Sequence, residues 1–241
     1  MSQGYQPRTY RANGASPDLK SWRVVLAETD LYIQAEVELR DLSRQSTREG
    51  RAQVEREIAR CPEFLTSLQP LGAPEDAPPV VARMYAAAAL ARVGPMAAVA
   101  GAIAQYVGEQ LEPRSPQVIV ENGGDIYLQT QEEVRVGVFA GNSPLTYKVG
   151  LLLKPEQMPL GVCTSSGTVG HSLSFGKADA VCVLSKSSTL ADAAATAIGN
   201  LVKAKEGIRT ALEKGMTIEG VLGALIVMGE HFGVIGDIEL I

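Results

Sequence analysis

The sequence contains few of the residues that build disulfide frameworks, metal clusters or basic surfaces. Its 241 residues include three cysteines and two histidines. The cysteines are far apart and no pair has metal-site spacing, which excludes a disulfide framework and fits a reducing cytosol. Lys and Arg number 22 against 27 Asp and Glu, without a basic block. This balance argues against a nucleic-acid-binding protein, so an anionic ligand would have to be held locally.

Long apolar runs are also scarce. The first twenty residues are polar and lack the apolar core of a secretory signal, so we expect no export. The most apolar stretch, residues 80–107, is rich in alanine, is interrupted by two arginines, Gly94 and Pro95, and falls short of a membrane span. These absences predict a cytoplasmic protein without a membrane contact.

The composition is that of a globular protein, with 46% hydrophobic and 20% charged residues. At this length we expect a single domain over residues 1–241, with an N-terminal extension at 1–20 and a proline-rich internal loop at 69–79. That loop is expected to join two helices, because the hairpin predicted before it has too few partners to fold alone.

The pattern between residues 21 and 68 predicts a β-hairpin followed by a helix. Two runs of alternating apolar residues flank a turn at 28–30, and the second run has one apolar and one polar face, as in an antiparallel strand with one side in water. Ser46 and Glu49 form a capping-box signature, so we expect a helix to begin there. Pro62 is expected to break or kink that helix.

The rest of the chain predicts an α+β fold with a largely antiparallel sheet. Two alanine-rich helices are separated by Gly94 and Pro95. Strand-like runs follow from Gln117, a helix begins near Thr189, and residues 220–241 predict a closing hairpin. The strands fall into two groups with helices between them, which favours this class over strictly alternating strands and helices.

Three short polar segments lie among residues that should be buried. The first consists of Asn122, Gly123, Gly124 and Asp125, between two apolar runs. Asn-Gly and Gly-Gly are favoured where φ must be positive, so this segment fits a tight hairpin turn. A ligand-binding role fits the same residues equally well, and the sequence alone leaves both interpretations open.

The second polar segment lies near the start of the helix predicted from Thr189. Asp192 and Thr196 are four residues apart, which puts them on one helix face. A carboxylate and a hydroxyl one turn apart can share Mg²⁺, whose other ligands would be water and phosphate oxygen. Alternatively, Asp192 complements the positive helix N-terminus and Thr196 bonds back to its own helix, and the residues alone favour this alternative.

The third polar segment, residues 163–172, has the sequence CTSSGTVGHS. Its glycines and hydroxyls could form a backbone nest for phosphate, although the spacing matches neither a P-loop nor a GxSxG nucleophile elbow. The candidate nest residues are Thr164, Ser165, Ser166 and Gly167. His171 is a candidate general acid/base or phosphate ligand, the alternative being an imidazole bonded to neighbouring hydroxyls. Cys163 borders an apolar strand and is expected to be buried.

Taken in order, the phrases VENGGDIYL, CTSSGTVGHS and ADAAATAIGN resemble the signature of the ApbE-like superfamily of flavin transferases. In that family a GGD turn, a serine-glycine segment leading to a histidine, and an ADA-x-x-TA helix surround FAD and Mg²⁺. The longer phrase CTSSGTVGHSLSFGKADAVCVLS is most similar to the cytosolic, uncharacterised branch of the superfamily. The resemblance runs from about Gly94 to the C-terminus.

The resemblance implies the ApbE-like variant of the T-fold, an antiparallel sheet with helices on one face. It implies that Asp192 and Thr196 bind the metal, that segments 122–125 and 164–167 contact the cofactor, and that His171 takes the catalytic position. The implied reaction splits the FAD pyrophosphate and transfers FMN to a protein threonine, with Mg²⁺ neutralising phosphate charge.

Three features differ from the flavin transferases. The helix expected from Pro95 has no lysine, and His171 is followed by SLSFGKADA instead of a segment ending in Asp-Pro-x-Thr-Gly. Those enzymes are also usually exported or lipid-anchored, whereas we expect no export here. These differences indicate that the ligand or the reaction has changed.

The leading hypothesis is therefore a cytosolic enzyme or binding protein for FAD, or a related phosphorylated ligand, with Mg²⁺. A second hypothesis is a non-catalytic accessory factor, because the cytosolic branch in anaerobic microbes is associated with homocysteine formation and sulfur assimilation beside iron-sulfur partners. The three scattered cysteines form no cluster, so such a partner would carry the iron-sulfur centre. A third hypothesis, that all three polar segments are structural, is disfavoured by their joint order.

Overall fold

The structure, a computed structural model, describes residues 19–167 and 176–241, which contain eleven strands, six α-helices and four short 3-10 helices. The strands are β1 (Lys20–Leu26), β2 (Thr29–Ala35), β3 (Val118–Asn122), β4 (Asp125–Gln129), β5 (Val134–Gly137), β6 (Gly150–Leu153), β7 (Leu160–Ser165), β8 (Ala180–Ser185), β9 (Val221–Met228), β10 (His231–Gly236) and β11 (Glu239–Leu240). The helices are α1 (Arg40–Arg60), α2 (Glu63–Thr66), α3 (Pro79–Ala91), α4 (Val99–Leu111), α5 (Ser188–Leu201) and α6 (Ile208–Gly215).

Eight of these strands form one sheet in the order β1-β2-β3-β4-β7-β8-β9-β10. Every neighbouring pair in it is antiparallel. The chain builds the sheet from two successive units, each with two strands, then helices, then two more strands. The first unit ends with β4 and the second begins with β7, so the two units meet at the centre of the sheet. The predicted α+β class with an antiparallel sheet is confirmed.

The helices cover one face of this sheet, and a small second sheet of β11, β6 and β5 covers the other. Side chains alternate between the two faces: Cys163 packs with residues of α5, whereas Val162 packs in the cluster that includes β6. The sequence predicts the helical layer but not the small sheet, whose strands have only four, four and two residues. Because both faces are covered, a central strand such as β8 is buried at every position.

The alanine-rich helices α3 and α4 pack closely against their neighbours. A Cβ on Gly108 would lie 2.2 Å from Cδ1 of Tyr127 on β4, so glycine lets α4 approach the sheet. Tight packing is therefore the main role of these small residues. Within residues 19–167 and 176–241, no single helix is long and apolar enough to cross a membrane. The helical segments Pro79–Ala91 and Pro95–Arg114 reach that length and apolar content only when they are taken together, and a 105° bend separates them.

The first helix begins earlier than its capping-box signature predicts. α1 starts at Arg40, and Ser46 is buried inside the helix instead of capping it. A tertiary contact explains the earlier start, because Trp22 Nε1 donates to Ser43 Oγ at 2.9 Å and holds the first turn against β1. The helix ends at Arg60, as the proline that follows predicts.

The predicted hairpin at the N-terminus is present as β1 and β2, but the prediction that one face of its second strand lies in water is wrong. Asp30 and Gln34 on the polar face of β2 are only 5% and 4% exposed. Arg23 on β1 pairs with Asp30 (Nε–Oδ1, 2.6 Å), which compensates the buried carboxylate.

Candidate functional site

The turn between β3 and β4 contains the first polar segment. Asn122 ends β3, Asp125 begins β4, and the two residues are cross-strand partners. Gly123 and Gly124 connect them with φ angles of 71° and 107°, which glycine adopts readily. The Gly124 amide donates to Glu121 Oε1 at 2.9 Å. The segment is thus a tight hairpin turn, and the same turn places Asp125 at the start of a central strand.

Asp125 lies on the helical face of the sheet, with Cys163 on β7 as its cross-strand partner. It is 8% exposed, and its Oδ1 has no hydrogen-bond partner among the described residues. Burial raises the pKa of Asp125 well above its ordinary value, and repulsion by Asp192 and Glu121 raises it further, although the nearby Cys163 thiol and Thr164 backbone act to lower it. A buried carboxyl in this state is costly unless a proton or a cation compensates it.

Asp192 extends from the N-terminal part of α5 toward the start of α4. Its Oδ2 accepts a hydrogen bond from the Gly101 amide at 2.9 Å, so it caps a helix other than its own. The residue is half-buried. Burial raises the pKa of Asp192 to about 7, although the amides of Gly101 and Ala100 favour the charged form. Asp192 therefore does serve a helix N-terminus, but that helix is α4 and not α5.

Close backbone contacts join α4, α5 and β7 beside these carboxyls. A Cβ on Gly101 would lie 2.2 Å from Ser188 O, and one on Gly161 would lie 2.4 Å from Ser188 Cα. Asn122 reaches the same junction, where its Nδ2 donates to Ala100 O at 3.1 Å. The sequence shows that this region is rich in small residues, but no local signal identifies Gly101 or Gly161 as contact points, because their partners are distant in the chain.

Thr196 lies one turn after Asp192 on α5 and is half-buried. The two side chains share a helix face, so a carboxylate and a hydroxyl stand one turn apart. No group of three or more His, Cys, Asp or Glu suited to a metal occurs in the part of the chain that the structure describes. A hard cation at Asp125, Asp192 and Thr196 would therefore need oxygen ligands from water or phosphate, as Mg²⁺ commonly has.

The third polar segment begins as a strand and not as a loop. Thr164 and Ser165 are the last residues of β7. Ser165 lies on the helical face, whereas Thr164 alternates to the opposite face, where its cross-strand partner is Cys182. The Thr164 hydroxyl therefore lies on the face of the sheet opposite to Asp125.

The end of this segment is described only in part. Ser166 and Gly167 follow β7, and a Cβ on Gly167 would lie 2.5 Å from the carbonyl oxygen of Gly176, so these two glycines are in close contact. His171 falls within 168–175, outside the described residues, and its acid/base role stays a prediction.

Cys163 is the cysteine nearest to the two carboxyls. It is fully buried, and its thiol donates to Ser188 O at 3.3 Å. Burial, followed by the negative charges of Asp125 and Asp192, raises the pKa of this thiol well above its ordinary value. The side chain is therefore a small buried residue, as expected, and not an activated nucleophile.

Comparison with known proteins identifies relatives along almost the whole chain. A family model described as "AbpE bacteria" matches residues 13–233. A UPF0280 protein of Methanococcus maripaludis strain C5 is 44% identical over 222 residues, 90% of each chain. A UPF0280 protein of Methanocaldococcus jannaschii is 43% identical over 222 residues, again 90% of each chain.

Solved structures share the fold at much lower sequence identity. The flavinyl transferase ApbE of Pseudomonas stutzeri, in its apo form, is 12% identical with a TM-score of 0.61, covering 90% of this chain and 94% of that chain. The flavin transferase ApbE of Vibrio cholerae is 13% identical with a TM-score of 0.59, covering 90% and 97%. These similarities confirm the ApbE-like fold. From the family model and the UPF0280 relatives together, we conclude that the chain belongs to the ApbE-like superfamily, in the branch that contains the UPF0280 proteins.

Proposed function

We propose that the protein binds FAD, or a related phosphorylated ligand, together with Mg²⁺ where β4, α4 and the N-terminal part of α5 meet. The observation that carries the proposal is Oδ1 of Asp125, which is buried, has no hydrogen-bond partner among the described residues, and belongs to a carboxyl repelled by Asp192. A buried oxygen of this kind is a natural cation ligand. The choice of a flavin as the ligand rests on the fold, because the similar solved structures are named flavin transferases.

The cation would be held by Asp125, Asp192 and Thr196. Mg²⁺ is usually bound by one or two carboxylates and completed by water and substrate phosphates, and this set of oxygen donors matches that preference. Asp192 retains lone pairs beyond the one that accepts the Gly101 amide, so helix capping and metal binding are compatible. Bound Mg²⁺ would supply positive charge to the ligand's phosphates.

The charges at the site make ligand binding dependent on the cation. A pyrophosphate is anionic, and two carboxyls would repel it if nothing compensated them. The chain as a whole offers no excess of positive charge, since its net charge is -5. We therefore expect Mg²⁺ to strengthen FAD binding and FAD to strengthen Mg²⁺ binding by the same factor.

Transfer of FMN to a protein threonine is a second candidate function. In that step the threonine oxygen would bond to the FMN phosphorus, the bond from that phosphorus to the AMP oxygen would break, and AMP would leave while a base takes the threonine proton. The fold shared with flavin transferases favours it. The absence of lysine from α4, where the flavin transferases carry one, counts against it, so we propose ligand binding as the function.

Binding is tested by purifying the protein under mild conditions, recording its flavin absorbance, and titrating FAD by calorimetry in EDTA and in Mg²⁺. We expect Mg²⁺ to tighten binding by about tenfold or more, which is roughly 1.4 kcal/mol. The Asp192→Ala variant should lose this metal-dependent part, whereas Asp76→Ala, an exposed carboxylate on the loop before α3, should keep it. Failure of FAD and other nucleotides to bind in both conditions would overturn the proposal.

Turnover is tested separately by incubating the protein with FAD and Mg²⁺ and measuring AMP and FMN. Metal-dependent release of AMP, with the FMN recovered covalently on a protein threonine, would assign the transferase reaction, whereas AMP with an equal amount of free FMN would show hydrolysis. FAD binding without AMP release would instead favour the accessory role, in which a partner protein carries out the chemistry.

A further inference from the structure

The helices α4 and α5 cap each other's N-termini beside the proposed site. Asp192 on α5 accepts the Gly101 amide of α4 at 2.9 Å. In return, Gln105 on α4 accepts the Thr189 amide of α5 through its Oε1 at 3.2 Å. We term these two contacts the reciprocal cap. Each helix therefore supplies an acceptor to backbone donors that the other helix leaves unpaired.

Gln105 is held rigidly in this arrangement. Besides the Thr189 amide, its Oε1 accepts Thr189 Oγ1 at 3.0 Å and Ser187 Oγ at 2.9 Å. Its Nε2 donates to Glu109 Oε1 at 3.0 Å, and the residue is only 8% exposed. Because both ends of the amide are engaged and water has little access, the side chain has one stable orientation.

The N-terminus of α5 depends on this contact from α4. The hydrogen bond within its own N-cap is long, since Ser187 Oγ accepts the Leu190 amide at 3.3 Å. The same Ser187 hydroxyl is oriented by Gln105. Loss of the Gln105 oxygen would therefore free the hydroxyl and leave the Thr189 amide without its acceptor, in a part of the helix that precedes Asp192 by one turn.

We propose that Gln105 is a positioning residue, which fixes the N-terminal turn of α5 and thereby holds Asp192 in the orientation that a cation shared with Asp125 requires. This inference rests on the proposed function, because it concerns the same cation site. Gln105 itself does not need to contact the ligand, since it acts through Thr189 and the helix that carries Asp192.

The test is Mn²⁺ binding by the full chain, followed through the electron paramagnetic resonance signal of the free ion. Gln105→Met keeps a side chain of similar size but removes the acceptor, and we expect it to weaken Mn²⁺ affinity by about tenfold, as is typical for residues that orient metal ligands. Gln110→Met is the matched control, since Gln110 is exposed on the same helix, and it should change the affinity by less than about twofold.

Two further variants separate positioning from general damage to the fold. The Q105E/E109Q double variant keeps an acceptor oxygen at position 105 and the total charge, although it removes the ion pair between Glu109 and Arg83, and we expect it to restore most of the affinity. Thr189→Val removes one of the donors to Gln105 and should give an intermediate loss with a normal thermal transition. It keeps the test usable if Gln105→Met does not fold.

Hydrogen exchange of residues 188–192 without metal gives an independent readout. Gln105→Met should speed exchange in this turn, and Gln110→Met should not. Equal Mn²⁺ affinities of the two variants, or unchanged exchange in Gln105→Met, would overturn the positioning role alone. If the unaltered protein binds no Mn²⁺ at all, the proposed cation site fails and the positioning role fails with it.

Discussion

At the residue scale, the buried carboxyl of Asp125 lowers the stability of the fold, and a bound cation could restore that stability. Its carboxyl is buried, carries an unpartnered Oδ1 within the described residues, and is repelled by Asp192. Such a group destabilises a protein by more than an exposed carboxylate would, since no solvent replaces the lost hydration. Local turn chemistry predicts the position of Asp125 from NGGD alone, but its burial depends on α5 and cannot be read from the sequence.

The first prediction concerns this cost. Asp125→Asn keeps the shape of the side chain and removes its charge, so we expect the free energy of unfolding in EDTA to rise by about 1 kcal/mol. Urea denaturation measures the change, with Glu75→Gln as an exposed control that should have no effect. The variant should also lose any stabilisation by Mg²⁺. A less stable Asp125→Asn protein in EDTA would show that the carboxylate has a structural partner.

A second residue-scale prediction concerns Glu57, which is 4% exposed in α1. Burial raises its pKa, but hydrogen bonds from Arg60 and Tyr85 outweigh burial, and the net pKa is lowered. A carboxyl with a lowered pKa in the folded state stabilises the fold above its unfolded pKa, and this stability is lost as the pH falls through the folded value. Glu57→Gln should therefore cost about 1 kcal/mol at pH 7, and the difference from the unaltered protein should shrink toward pH 3.

Urea unfolding at several pH values tests the Glu57 prediction. Tyr85→Phe is the companion variant, because the Tyr85 hydroxyl donates to Glu57 Oε1 at 2.6 Å. A constant difference between Glu57→Gln and the unaltered protein from pH 7 to pH 3 would show that the carboxylate charge does not contribute.

At the scale of elements, the sequence predicts what local chemistry determines. The hairpin at Gly123 and Gly124 follows from residues that tolerate positive φ, and the end of α1 follows from the next proline. The start of α1 could not be predicted, because the contact between Trp22 and Ser43 spans two elements. The same limit applies to the reciprocal cap, whose two hydrogen bonds join residues 91 and 84 positions apart.

The prediction at this scale is a steric one at the junction of α4 and α5. Gly101→Ala would place a Cβ 2.2 Å from the Ser188 carbonyl oxygen, so the helices would have to move apart. We expect a loss of about 2 to 3 kcal/mol in unfolding free energy and weaker Mn²⁺ binding. Gly207→Ala is the control, because a Cβ there meets no atom within 4 Å. Equal stability of the two variants would contradict the close contact.

At the scale of the whole molecule, the candidate site lies where the two units of the sheet meet. Asp125 belongs to the first unit through β4, and Asp192 belongs to the second through α5, so a shared cation would link the two. The predicted class and helical layer are correct because apolar periodicity determines them. The small sheet escapes prediction because β11 has only two residues, and its pairing with β6 depends on the complete fold.

The most direct measurement is the dissociation constant of FAD, determined by calorimetry with and without Mg²⁺ for the unaltered protein, Asp125→Asn and Asp76→Asn. We predict that Mg²⁺ tightens FAD binding by about tenfold or more in the unaltered protein and in Asp76→Asn, and has little effect in Asp125→Asn. Equal FAD affinity with and without Mg²⁺ in the unaltered protein would contradict a shared metal and nucleotide site at Asp125.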